Sequence, residues 1–332
     1  LISRILSAFR SDFVANAARL MTGTVLSQVL PILAAPLLSR IYSPSDYGLL
    51  GLYMSVTGLV TMFGTLQYSS AIVIAQDDDE VRGLIKLCLQ ILVIFSGISI
   101  LAIFLFHNVI GTYFKSDQLT NWLWMAPFSI FLNGLSGIFN NYAIRKGYFG
   151  LVSKNRIFGA VLSTGCSLLI GYIYKTPLGL FVGLWVGQFI NGIVFMFLAL
   201  KISGESWAGF IAADSRPVQK QYSNFPKYSL PADFINNFTN QIPLFMLNAY
   251  GSLSNVGSFN MSNRILGLPI GFISQSFGEV FRQKAAKDYR ETGSCRPIFV
   301  KTFKTLGLLS ILPFGILIFW GPDIFSWVLG EK

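Results

Sequence analysis

Asp77-Asp78-Asp79-Glu80 is the only acidic run in the chain and the first place to look for metal or nucleotide-sugar chemistry. A metal centre needs further ligands, and no second acidic cluster or histidine falls in a neighbouring link on the same side. The run reads as a solvated cap on the helix that follows, where anions are favoured. His107 is the single histidine and reads as a loop residue, so no Ser–His–Asp set can be assembled. No glycine-rich phosphate loop of nucleotide-binding type occurs. Cys88, Cys166 and Cys295 lie in apolar segments or on the basic side and imply no disulfide framework. These residues support neither bond-making chemistry nor a cofactor, and the chain reads as a non-enzyme.

Cations in apolar surroundings are more informative. Arg19 and Arg264 both sit within apolar segments, where an arginine costs at least ~2.5–3.5 kcal/mol at the centre of a membrane helix. Arg19 lies near one end and can snorkel to the interface. Arg264 lies deeper, on a polar stripe, and is read as facing a cavity and meeting an anion; Asp233 is the alternative partner. Polar residues recur at helical spacing in four segments. The stripes are Asn16, Arg19, Gly23 and Ser27; Asn133, Gly137 and Asn140; Asp233, Asn237, Asn240, Gln241 and Asn248; and Asn260, Asn263, Arg264, Gly267, Gly271, Ser274, Gln275 and Gly278. Polar contact between packed helices explains any one of them. Four together suit helices around a hydrated cavity. The candidate cavity residues are Arg19, Arg264, Asn16, Asn237, Asn240, Gln241, Asn260 and Asn263.

The elements that carry these residues follow from composition. Of the 332 residues 53% are hydrophobic and 12% charged, against roughly 25% charged in ordinary globular chains. The charges cluster between apolar runs of about 20 residues, the length that spans a hydrocarbon core of about 30 Å. Nine spans are expected, near 14–38, 48–74, 84–106, 119–141, 156–174, 178–200, 229–250, 256–278 and 304–321. With the N-terminus cytoplasmic, 20 of the 25 basic residues fall on the cytoplasmic side. Only Arg40, Lys115, Lys175 and Lys332 fall outside, and Arg264 lies in a span. That asymmetry is the positive-inside rule. The net charge of +10 is therefore a topology signal, and a nucleic-acid partner is excluded. The first apolar run is too long for a cleaved signal peptide, carries Arg19 and has no clear small-x-small site.

Two packing signals stand out. Gly159, Ser163, Ser167 and Gly171 recur every four residues in span 5, as do Gly179, Gly183 and Gly187 in span 6. Small faces let backbones approach, so these spans are expected to pack tightly as scaffold. A faint repeat also relates Ser45-Asp46-Tyr47-Gly48, opening span 2, to Ser254-Asn255-Val256-Gly257, opening span 8. It implies a parallel duplication with a second lobe beginning near residue 225.

The stretch GTVLSQVLPILAAPLLSRIYSPSDYGLLGLYMSV resembles the first hairpin of polysaccharide-biosynthesis flippases of the Wzx type. The superfamily also holds lipid-linked peptidoglycan-precursor flippases and multidrug extrusion antiporters. The resemblance continues in NNYAIRKGYFGLVSKNRIFGAV and PLGLFVGLWVGQF. It returns in YSLPADFINNFTNQIPLFML and VGSFNMSNRILGLPIGFISQSFGEVF, and so covers most of the chain.

The resemblance implies an all-α polytopic membrane protein, a MATE-like bundle of two lobes around a central cavity. On that pattern residues 1–200 form the first lobe, 201–227 a cytoplasmic inter-lobe linker, and 228–332 a second lobe lacking its last helices. The implied job is moving lipid-linked (polyprenyl-pyrophosphate) oligosaccharide from the cytoplasmic to the outer leaflet of the inner membrane, for polysaccharide or O-antigen synthesis. Cationic cavity residues hold the pyrophosphate in such flippases, a role carried here to Arg19 and Arg264. The implied partners are lipid-linked oligosaccharide, membrane lipid, and the polymerase and glycosyltransferases of that synthesis. The alternative is a multidrug-extrusion-type cation antiporter, which expects acidic ion-binding residues in the first lobe's spans; none is present.

Overall fold

The computed structural model describes residues 12–114, 117–263, 266–267, 294 and 296–329, and the described residues contain helices and turns but no strand. The first two helices, α1 (Asp12–Leu33) and α2 (Ala35–Ile41), make one bent span, with a 41° break at Ala34. Pro31 inside α1 and Pro36 at the start of α2 explain the bend, since each removes a backbone donor and crowds the preceding turn. Next comes α3 (Pro44–Thr61), opened by a capping box. Ser43 N–H donates to Asp46 Oδ2 at 2.8 Å, and Asp46 N–H donates back to Ser43 Oγ at 3.3 Å. The expected second span, 48–74, does not continue as one helix. It tightens to a 3₁₀ turn at Met62–Gly64 and reverses through Leu66 and Gln67 at φ 46° and 62° before the short α4 (Tyr68–Ala71).

The acidic run caps α5 (Asp78–Phe114) as expected, with Asp78, Asp79 and Glu80 in its first turn. The expected fourth span is likewise divided, into α6 (Asp117–Leu123) and α7 (Ala126–Arg145), because Pro127 starts a new helix rather than extending the old one. Then follow α8 (Phe149–Tyr174) and α9 (Leu178–Phe189), a π-helical turn at Ile190–Val194, and α10 (Phe195–Ser203).

Among the described residues four helices are long and apolar enough to cross a membrane, five if the bent first pair is one span. The outward face of α5 shows why lipid is the solvent: Ile94, Phe104 and Leu105 are 63%, 67% and 63% exposed. An apolar surface of that extent is not stable in water. The chain is a multi-pass membrane protein.

Spans 5 and 6 pack as their glycines predict. A Cβ on Gly183 would lie 2.5 Å from the Ser163 carbonyl oxygen, and one on Gly179 would lie 2.8 Å from Gly171 N. Tyr42, buried at the edge of this contact, donates to the Ser167 carbonyl at 2.6 Å and ties α2 to α8.

The segment expected as a linker lies against α5 through its two short helices, α11 (Trp207–Ala212) and α12 (Arg216–Gln221). Arg82 grips Glu205 with both sides of its fork, at 3.2 and 3.0 Å. Lys86 donates to the Ala213 carbonyl at 2.7 Å, and Tyr222 and Gln221 donate to Glu80 at 2.7 and 2.8 Å. Burial, and then the bond to the Glu80 carboxylate, push the Tyr222 phenol up to about 12, so it remains a donor at physiological pH. The docked segment leads through a π-helical turn at Phe225–Ser229 into α13 (Leu230–Tyr250). Residues 253–263 form α14, and α15 (Arg296–Leu329) extends well beyond the expected 304–321.

Candidate functional site

Three arrangements of small and polar residues stand out where the described helices touch. The first is a crossing of helix starts. A Cβ on Gly48 would collide with the Leu253 carbonyl oxygen and lie 3.1 Å from Gly257 N. Reciprocally, a Cβ on Gly257 would collide with the Pro44 carbonyl oxygen and lie 2.9 Å from Gly48 N. The two copies of the sequence repeat therefore sit face to face, related residue for residue. One turn further on, Asn260 fills the space left by Gly51. The caps differ from the expected ones by a few residues: Ser43 caps α3, and Ser252 Oγ accepts from Asn255 N–H at 3.3 Å. The repeat is thus longer than read from sequence, Ser-Pro-Ser-Asp-Tyr-Gly against Ser-Leu-Ser-Asn-Val-Gly. Leu49, Leu52, Tyr53, Leu244 and Val256 bury the seam below the crossing.

The second arrangement is α13. Its phenylalanines face α3: the Phe234 ring lies 5.4 Å from Phe63, and Phe238 and Phe245 line an apolar groove with Val56, Leu59 and Val60. Ser55 Oγ donates to Gln241 Oε1 at 2.7 Å, so Gln241 belongs to this seam between α3 and α13. On another face Asp233, Asn237 and Asn240 are exposed. Among the described residues Asn237 bonds to its own helix, donating to the Asp233 carbonyl at 2.8 Å. Exposed amides on a helix of membrane length need water or a polar ligand, because lipid offers them no partner.

The third was missed. The helix α8 begins at Phe149, so Arg156 lies two turns inside it rather than in a cytoplasmic link. It is half-buried. Close contact of α1 and α8, where a Cβ on Gly23 would lie 2.6 Å from Ser153 Cα, brings Thr24 to the guanidinium. Nη1 donates to Thr24 Oγ1 at 2.6 Å and Nη2 to Asn140 Oδ1 at 3.3 Å. The Asn133–Gly137–Asn140 stripe pointed towards this place; the misjudged helix start hid the arginine.

Of the expected residues, Asn260 packs at the crossing and Asn263 is exposed on α14. Asn16 and Arg19 lie on α1 with side chains outside the described residues, and Arg264 lies outside them altogether. Among the described residues no group of His, Cys, Asp or Glu is placed to hold a metal ion.

The described helices form a MATE-like membrane bundle. The chain superposes on the inward-facing conformation of a multidrug resistance MATE family transporter of the MOP superfamily with a TM-score of 0.66 and 15% identity, over 92% of this chain and 72% of that one. It superposes on a ligand complex of the MATE multidrug transporter DinF-BH at 0.64 and 16%, over 96% and 74%. At such identities the likeness is one of fold. The family model described as polysaccharide biosynthesis protein matches residues 37–332, and the chain belongs to that family. No curated protein matches it.

Proposed function

We propose that the chain is a flippase that moves lipid-linked (polyprenyl-pyrophosphate) oligosaccharide from the cytoplasmic to the outer leaflet, with its N-terminus in the cytoplasm. The observation that carries this reading is the exposed amide face of α13 on a bundle of the polysaccharide biosynthesis family. Amides hydrogen-bond sugar hydroxyls without demanding a charge, and a glycan headgroup stripped of water would otherwise cost several kcal/mol for each unpaired polar group. The two charges of a pyrophosphate gain roughly 2.3 kcal/mol each per 100 mV on moving outward across an inside-negative potential. The antiporter alternative lacks support, since the first lobe's apolar spans carry no Asp or Glu between their capped ends.

Proteoliposomes holding a fluorescent prenyl-pyrophosphate-linked sugar test the reading. Wild type is expected to expose inner-leaflet probe to an impermeant quencher, and Arg264→Ala to lower the rate about tenfold or more at equal abundance, as loss of a charge-assisted contact predicts. Arg264→Lys retains part of the rate, because the charge survives without the fork. A wild-type rate equal to that of empty liposomes, with dye efflux driven by a sodium gradient, establishes the antiporter instead.

Orientation has its own check. In a cysteine-free background, Ser215→Cys and Thr292→Cys are expected to react with an impermeant maleimide only after the cytoplasmic face is opened, and His107→Cys without opening. Reaction of Ser215→Cys from outside reverses the topology.

A further inference from the structure

We propose that the groove between α5 and α11 binds an anionic phospholipid, with an acyl chain along the groove and the phosphate at Lys86. The lipid belongs to the leaflet at the start of α5, which is the cytoplasmic one in the orientation proposed above. The site does not depend on what the transporter carries.

The walls are apolar and open. The groove has a volume of about 700 Å³, with Val93 and Ile94 of α5 on one side and Trp207 and Ile211 of α11 on the other. Phe210 at its base is buried in the core and meets Tyr142 edge-on at 6.2 Å between ring centroids, which fixes α11 in place. Val93, Ile94, Trp207 and Ile211 are exposed. The same face of α5 continues through Ile98, Leu101 and Leu105, also exposed. A chain lying in the groove therefore runs on into hydrocarbon.

Charge is divided around α11. Among the described residues lining the groove, Lys86 is the one charged side chain. The opposite face of α11, through Gly209 and Ala212, borders a separate cleft that gathers Asp77, Asp79, Glu80 and Asp214. Arg82 of that cleft is paired with Asp79 and Glu205, whereas no described ion pair involves Lys86. Lys86 Nζ donates to the Ala213 carbonyl at 2.7 Å, one of the three donors an ammonium carries. Gln90 lies one turn further on, and its Oε1 accepts from Ser215 Oγ at 3.4 Å. A cation and neutral polar groups beside an apolar track complement an anionic headgroup and its chain. A lipid-linked glycan would need polar wall for its hydroxyls, which this groove lacks.

Depth agrees. No charged residue falls between Lys86 and Phe106, a rise of about 30 Å at 1.5 Å per residue. That is the thickness of the hydrocarbon core. Lys86 therefore marks one boundary, the level of lipid phosphates, and Trp207 beside it suits the same interface.

A lysine that only caps the Ala213 carbonyl would be indifferent to lipid charge. Titration of dioleoylphosphatidylglycerol and dioleoylphosphatidylcholine into the full chain in detergent, followed by native mass spectrometry, separates the two roles. Wild type is expected to hold phosphatidylglycerol about fivefold more tightly, as one lysine near an anionic lipid predicts. Gln90→Glu keeps the shape and the acceptor for Ser215 while setting a carboxylate one turn from Lys86. Lys86→Gln removes the charge and keeps a donor for the Ala213 carbonyl. Both are expected to abolish the preference and to bind phosphatidylcholine as wild type does, and Gln90→Glu to unfold no earlier. Val93→Trp, at an exposed position, fills the groove and is expected to weaken both lipids alike. A preference retained in Gln90→Glu and Lys86→Gln overturns the headgroup position, and wild-type binding of both lipids by Val93→Trp overturns the track. Equal wild-type affinity for the two lipids overturns the anionic assignment. Lys86-dependent binding of farnesyl phosphate tighter than that of phosphatidylglycerol gives the groove to a prenyl carrier and overturns the proposal. So does a dimer that retains no lipid, since a second copy would then cover the groove.

Discussion

Replacing Gly257 with alanine is expected to force apart the two helix starts that cross at Gly48. The added Cβ would collide with the Pro44 carbonyl oxygen and lie 2.9 Å from Gly48 N. Those are backbone atoms at a capped, proline-containing helix start, so no side chain can swing aside. The helices must separate, loosening the seam that buries Leu49, Leu52, Leu244 and Val256. Overpacking of this kind typically costs about 1–3 kcal/mol, and more where backbone meets backbone. Two readouts distinguish separation from misfolding. The unfolding temperature should fall, and Ser55→Cys, which lies below the crossing beside Gln241, should become more reactive to an impermeant maleimide. Gly58→Ala and Gly267→Ala serve as matched controls, with nothing within 4 Å of either Cβ position. Wild-type stability and labelling in Gly257→Ala would mean that the crossing is not a closed contact.

The contact between α8 and α9 should be equally intolerant. Gly183→Leu is expected to remove most folded protein, and Gly183→Ala to lower stability measurably. Even the alanine Cβ would stand 2.5 Å from the Ser163 carbonyl and collide with Ser167 Oγ. Packing of small residues is a principal attraction between membrane helices, because lipid competes for every other apolar surface. Leu184→Ile leaves this face untouched and should fold normally. Gly165→Ala, with open space around its Cβ position, should be neutral or stabilising by up to about 1 kcal/mol through helix propensity. Fluorescence-detected size-exclusion chromatography of the four variants compares their yields directly. Equal yields for Gly183→Leu and Leu184→Ile would remove the small-residue argument.

Both predictions concern glycines whose spacing was visible in the sequence, but the two cases differ. Gly159, Gly171, Gly179, Gly183 and Gly187 form faces on two helices joined by a short turn, so their meeting is nearly local. Gly48 and Gly257 meet only because the chain returns after 209 positions. Their repeat was legible as a duplication, but not as a contact.

Composition, charge asymmetry and helical spacing by themselves determined the membrane class, the apolar segments, the acidic cap of α5 and the small-residue contact of α8 with α9. Each depends on solvent transfer or on neighbours within a few turns. Segment ends were less legible. Pro127 and the left-handed turn at Leu66–Gln67 divide runs that hydrophobicity alone leaves whole, and Arg156 was placed outside a helix that begins at Phe149. Only the tertiary structure decided which polar residues meet. Arg156 reaches Thr24 across 132 positions, Ser55 reaches Gln241 across 186, and Arg82 reaches Glu205 across 123. Such pairings depend on where packing returns the chain, and no periodicity within one helix encodes that path.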